Sequence, residues 1–149
     1  MKNIFDNEVM EEILSRIKKL EPSSKRQWGK MEVAQMLAHC TSSLRLANGE
    51  RKPKRMFLGM IIGSFFKSTY YDDKPFKKNA PTTKESTITD KRDFDKEKEI
   101  LINKILDFVK GGTEKCTKHP HPFFGFYTPE QWGIGIYKHL DHHLRQFNV

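Results

Sequence analysis

The sequence predicts an all-α fold: four main helices and one accessory helix, in a single domain over residues 1–149. Three observations carry that prediction. Apolar residues recur at helical spacing in four separate stretches, with start or stop signals beside them. No stretch alternates like a half-buried strand, and no segment repeats. The polar stretch 72–92, with Pro75 and Pro81, is long for an ordinary loop. It has the length expected where a helical bundle's chain crosses from one end to the other.

The first helix is predicted from Asp6 to Leu20. Asp6 or Asn7 can accept backbone N–H groups at its start, and Glu8, Glu11 and Glu12 suit the positive end of the dipole. Val9, Ile13, Ile17 and Leu20 form its apolar stripe, and Pro22 follows. A linker, SSKRQWG, leads to a second helix from Lys30 to Ala47. Its stripe is Val33, Leu37, Cys40 and Leu44, broadened by Met36, and Asn48-Gly49 is its stop. The segment MFLGMIIGSFFKSTYY holds the accessory helix, shorter or broken at Gly59 and Gly63, because its apolar residues keep no clean period. The next helix, Asp93 to Lys110, presents Ile100, Leu101, Ile105, Leu106 and Phe108, and Gly111-Gly112 ends it. Thr128-Pro129-Glu130-Gln131 opens the last helix, which extends to Phe147. Thr stands at the cap, Pro at the first helical position and Gln three residues after the cap.

Leu, Ile, Val and Phe make up 36 of the 149 residues, above the roughly 20% below which disorder is the default. The longest apolar run, Met56 to Phe66, is far shorter than the roughly 20 residues of a bilayer span, so no membrane partner is expected. The opening MKNIFDNEVMEE turns acidic at once and lacks a secretion pattern. Cys40 and Cys116 are isolated and build no disulfide framework, so a reducing, cytoplasmic setting is expected. The net charge of +8 invites a nucleic-acid reading, with Arg51, Lys52, Lys54 and Arg55 as the densest cluster. Acidic residues are nevertheless interspersed through most of the chain, and no aromatic–basic stripe offers base stacking. A charged soluble surface is the simpler reading, and no nucleic-acid partner is expected.

The chemistry lies in the histidines. On the last helix Trp132, Ile136, His139, His143 and Phe147 step by four, three, four and four, so they share one face. Large apolar groups on that face turn it inward. Two imidazoles one turn apart, with Cβ atoms about 5–6 Å from each other, can converge on one ion. A single inward His is ordinarily a hydrogen-bonded core residue. For a pair, a metal and a hydrogen-bonded core weigh evenly, since each unsatisfied buried group costs roughly 1–3 kcal/mol. His142 is expected off the stripe, with Lys138 and Arg145, toward a more polar side. His39 on the second helix adds a third imidazole if the two helices meet there. Three ligands with open positions are the count of a catalytic site rather than a closed structural one. Competing motifs fail on particular residues. Leu140 stands where a zincin carries its Glu, and Asp141 lies about 200° round the helix from His139. Neither the second nor the last helix holds the E-x-x-H of a di-iron bundle.

Two motifs carry a family resemblance: a His late in the second helix, in MEVAQMLAHC, and HLDHHLRQ near the C-terminus. The chain resembles the DinB-like (YfiT-like) superfamily of four-helix-bundle metalloproteins, whose members end similarly in H-x-x-H-H-x-x-Q. More narrowly, WGKMEVAQMLAHC together with HPFFGFYTPEQWGIGIYKHLDHHLRQF looks like a branch known only as a domain of unknown function. The resemblance spans essentially the whole chain. It implies an up-up-down-down bundle with a long crossover at 72–92, and a divalent metal, zinc or nickel, on His39, His139 and His143. It implies thiol-transferase or hydrolase chemistry on a small-molecule substrate, in some relatives a low-molecular-weight thiol, and homodimers. Leu144 departs from the H-H-R-G-Q ending of many relatives without touching the implied ligands.

Around the site, Gln35, one turn before His39, and Gln146, three residues after His143, are candidates to hold a ligand's second ring nitrogen; ordinary solvent-facing Gln is the alternative. Tyr137 is a candidate proton donor or a packing residue. His121 is a candidate further ligand, an acid–base group or a solvated loop His. Phe123, Phe124 and Phe126, in HPHPFFGFY, either roof the site or close the bundle. Cys40 is expected in the core and Trp28 at the start of the second helix. The function expected is that of a metal-dependent enzyme of transferase or hydrolase type. The alternative is a module that binds metal or a small ligand without turnover, because no general base stands beside the ligands.

Overall fold

The computed structural model describes residues 1–80, 82–83 and 86–149; Pro81, expected within the crossover, lies outside them. All regular structure among the described residues is helical: α1 (Asn7–Lys18), α2 (Val33–Ala47), α3 (Phe57–Phe66), α4 (Phe94–Gly111) and α5 (Pro129–Gln146). Short 3-10 turns follow α3 at Lys67–Tyr70 and α4 at Thr113–Lys115. No strand forms among the described residues, and His121 and Gly125 make only an isolated antiparallel bridge.

The start signals act unequally. Thr128 Oγ1 accepts from the Gln131 N–H at 3.2 Å, and Gln131 Oε1 accepts from the Thr128 N–H at 3.1 Å, so α5 opens with the expected reciprocal cap. Asp93 caps α4 by accepting from the Lys96 N–H at 2.8 Å. Asp6 stands at the start of α1, yet its side chain makes no capping bond. α2 begins three residues later than Lys30. Gly29 holds a left-handed φ of +79°, so the chain is still turning there, and the helix opens where Gln35 Oε1 accepts from the Glu32 N–H at 2.9 Å.

α1 packs on α4 and α5, and α2 packs on the same two helices. Ile13 and Ile17 of α1, Leu37 and Leu44 of α2, Leu101, Ile105 and Phe108 of α4, and Trp132, Ile136 and Leu144 of α5 fill the space between them. Leu106, expected on α4's apolar side, is exposed because it lies about 100° round from Ile105.

α3 is the shorter helix of the two expected forms, ten residues and unbroken, and its glycines have another use. A Cβ at Gly59 would meet the Phe123 carbonyl oxygen at 2.5 Å, and one at Gly63 would meet it at 2.0 Å. The Phe123 backbone therefore lies directly against the helix, and the Met56 N–H donates to the Pro122 carbonyl at 2.9 Å. With that seam at the glycines, the large side chains of α3 point away from the body.

Lys138 is buried, against the expectation of a polar face. Its ammonium donates to the Thr69 carbonyl and pairs with the Asp72 carboxylate, 4.7 Å from the centre of the Phe76 ring. At the far end of the crossover stretch, Gln35 Nε2 donates to the Asp90 carbonyl at 3.1 Å. The stretch is thus tied to α5 at one end and to α2 at the other, and it carries Phe76 and Ser86 to one place.

Candidate metal centre

His139 and His143 stand one turn apart on α5, on the stripe buried with Trp132, Ile136 and Phe147. His39 comes from α2, which packs against α5. The three ring centroids lie 4.7–4.9 Å from one another. His39 Nε2 and His139 Nε2 are 3.0 Å apart, and one nitrogen from each of the three rings falls within 4.8 Å of the others. Tetrahedral nitrogen ligands about 2.1 Å from zinc sit roughly 3.4 Å apart. The three side chains are therefore grouped closely enough to hold one metal ion.

Hydrogen bonds orient two of the rings. A backbone carbonyl only accepts, so the 2.7 Å contact from His39 Nδ1 to the Ser86 carbonyl puts the proton on Nδ1 and leaves Nε2 with its lone pair, 3.0 Å from His139 Nε2. His143 is set one step further out. Gln146 Nε2 donates to the Trp28 carbonyl at 2.7 Å, which fixes the amide so that Oε1 faces His143 Nδ1 at 2.9 Å. His143 Nδ1 must then donate, and its Nε2 also keeps its lone pair. The close pass of Trp28–Gly29 is what allows this, for a Cβ at Gly29 would lie 2.6 Å from Gln146 Nε2. His139 has no such support: its Nδ1 is out of reach of solvent and has no partner among the described residues. Its ring nevertheless keeps partial accessibility, while the other two are buried.

Burial holds all three rings in their neutral, lone-pair-bearing form. His39 is lowered from the ordinary 6.5 by burial, opposed by its bond to Ser86. His139 is driven well below by burial and then by His143 and His39. His143 is pushed down to about 3 by burial first and His39 second. The trio thus presents imidazole lone pairs that a cation can take up, and the orphaned Nδ1 of His139 is not the nitrogen that meets His39.

The other expected residues divide. Gln146 holds His143, whereas Gln35 is committed to the α2 cap and to Asp90. Tyr137 faces α1, near Lys2 and Arg16, on a different side of α5 from the trio. His121 accepts from the Phe123 and Phe124 N–H groups through Nδ1 at 3.1 and 3.2 Å. Its ring packs with Tyr70, Phe124, Tyr127 and Trp132, so His121 and Phe124 build an aromatic turn and do not join the trio. His142 is half-buried between Trp28 and Phe76 rather than turned to a polar face. Asp141 is paired with Arg16 at 2.9 Å and with Arg145 at 3.0 Å. No carboxylate or thiol joins the three imidazoles among the described residues.

Three contributors escape a motif reading. Phe76 reaches His139 with centroids 6.5 Å apart; its only signal was to be the lone aromatic in the basic run KPFKK. Ser86 and Trp28 act through backbone carbonyls, which no residue type announces.

The sequence model of a family described as "protein of unknown function (DUF1569)" matches residues 3–149, and the chain belongs to that family. No curated protein and no solved structure matches it.

Proposed function

We propose that this chain is a divalent-metal-dependent enzyme of the DinB-like four-helix-bundle type, a thiol transferase or a hydrolase, with zinc or nickel on His39, His139 and His143. One observation carries this reading: neutral imidazoles from two helices meet with two outer nitrogens already held by oxygen acceptors. The helix contacts favour the bundle. α1 and α2 do not touch each other, nor do α4 and α5, while every cross pair does. In an up-up-down-down bundle the parallel helices are the diagonal ones, and those are the pairs without contact.

A divalent ion held there supplies Lewis acidity and lowers the pKa of a bound water or thiol. The chain's own residues do the rest. Ser86 and Gln146 keep two rings in the ligating tautomer. Phe76 and Trp28 supply apolar walls that limit water. Lys78, whose ammonium sits 4.5 Å from the centre of the Trp28 ring, offers a cation to an acidic group such as the carboxylate of a low-molecular-weight thiol. Two buried free thiols, Cys40 and Cys116, suit a reducing, cytoplasmic setting, and the resemblance adds a homodimer.

Elemental analysis of protein purified without a nickel column tests the metal. Bound zinc or nickel near one per chain, lost in His39→Ala, is expected. Added metal at a hundredfold excess over its Kd should stabilise metal-free protein by about 2.7 kcal/mol. Metal-free protein that keeps its fold and gains nothing from either ion overturns the reading. The second reading, a module that binds without turnover, draws on the absence of a carboxylate beside the trio among the described residues. Thiols and electrophiles offered to metal-loaded protein separate the two, since the module binds and yields no product.

A further inference from the structure

The segment Arg51–Lys78 has a composition unlike the rest of the chain. It holds eight basic and two acidic residues, so six of the eight net positive charges fall in 28 of the 149 residues. It also holds α3, whose six large side chains from Phe57 to Phe66, Ile62 aside, are at least half exposed, with Phe57 at 75% and Phe65 at 80%. Contiguous apolar exposure on this scale marks a surface that meets something. α3 packs on no other helix among the described residues, and Gly59 and Gly63 seat its backbone on the Phe123 carbonyl. That seam directs the apolar side chains outward together.

We propose that α3 is an interfacial helix that lies on an anionic lipid surface, with its apolar side chains in the headgroup–acyl boundary and its basic flanks on the lipid phosphates. Two features select this occupant over a second copy of the chain. Basic residues stand at both ends of the helix, the exposed Lys52 and Lys54 before it and the half-buried Lys67 after it, and no acidic residue stands between Glu50 and Asp72. Any pairing of two α3 helices would therefore set cations against cations, whereas an anionic bilayer complements both ends at once. Asp72, the first acid after the helix, is already paired with Lys138. The helix is also too short to cross a bilayer, and no helix among the described residues can, so the attachment is to one face and departs from the expectation of no membrane partner only in that peripheral sense.

Co-sedimentation of the full chain with vesicles of phosphatidylcholine, alone or mixed with phosphatidylglycerol, tests this. Binding to the mixed vesicles that weakens with added salt, and little to phosphatidylcholine alone, is expected. Removing two charges in Lys52→Gln/Lys54→Gln should weaken that binding on the order of 30-fold, at about 1 kcal/mol for each residue. Phe57→Ser/Phe65→Ser should abolish it without loss of fold, because both side chains are largely in solvent already. Leu106→Ser, an exposed apolar residue on α4, should leave it unchanged. Absence of binding at low salt, or binding indifferent to these changes, overturns the proposal. So does a dimer in sedimentation velocity that dissociates in Phe57→Ser/Phe65→Ser, which would assign the surface to a second copy.

Discussion

The seam between α2 and α5 and the outer face of α3 depart from the ordinary distribution of side chains in opposite directions. At the seam, two imidazoles are buried and a third is mostly withdrawn from water. On α3, Phe and Ile side chains are given to water while glycines take the inner positions. Each departure has an identifiable support. The imidazoles are kept neutral by burial and oriented by a carbonyl and an amide; the apolar face is held out by a backbone contact that admits no Cβ. The lesson is that hydrophobicity alone does not decide which side of an element faces in. Side-chain volume at the point of contact decides it on α3, and hydrogen-bond satisfaction decides it at the seam.

The largest expected contrast is in packing. Trp132→Ala removes a ring that is 1% exposed and should cost about 3–5 kcal/mol in urea unfolding. A cost as small as that of a surface residue would mean that α5 does not organise the core. Next comes the support of the trio. Gln146→Leu strands the Trp28 carbonyl and the His143 Nδ1–H, so metal affinity should fall ten- to a hundredfold by competition with a chelator. The fold should lose about 1–3 kcal/mol in the same variant. An unchanged affinity would show that His143 needs no orientation.

Acid then probes the buried rings. In metal-free protein His143 lies at about 3 and His121 at about 4, both lowered chiefly by burial. The unfolded chain takes up protons near 6.5 while the folded one does not, so this stability is full above that value and is lost as pH falls below it. Two such groups should cost on the order of 2 kcal/mol between about pH 6.5 and 5.5, and bound metal should move the loss to lower pH. A flat stability profile over that range would put these rings in water. The smallest effect belongs to α3: Phe65→Ser should change stability by less than about 0.5 kcal/mol. A loss comparable to that of Trp132→Ala would erase the contrast between the two regions.

Much of this was legible in the chain and some was not, for reasons that differ by residue. The α5 cap was readable because Thr128, Pro129 and Gln131 act within four residues. The support of His143 by Gln146 was readable because they share a helix face. Gln35 stayed open because the same one-turn spacing from His39 also suits a helix cap, and the cap is the role it takes. His121 and Phe124 stayed open because a Pro- and Phe-rich loop reads alike whether it roofs a site or wraps an aromatic cluster. Lys138 misled because a lysine is assumed to be solvated until a partner such as Asp72, 66 positions away, is seen beside it.

What the amino-acid order determined by itself was local: where four helices begin and end to within a few residues, and that His139 and His143 look inward along one stripe. A period of 3.6 residues is written into the order of side chains and needs no partner to be read. Only the tertiary structure decided that His39 meets that pair across 100 positions, that Ser86 and Trp28 lend their carbonyls, and that α3 turns its glycines in and its phenylalanines out. Those outcomes depend on which surfaces pack together, and packing is settled by shape and by polar satisfaction between distant segments, neither of which has a period.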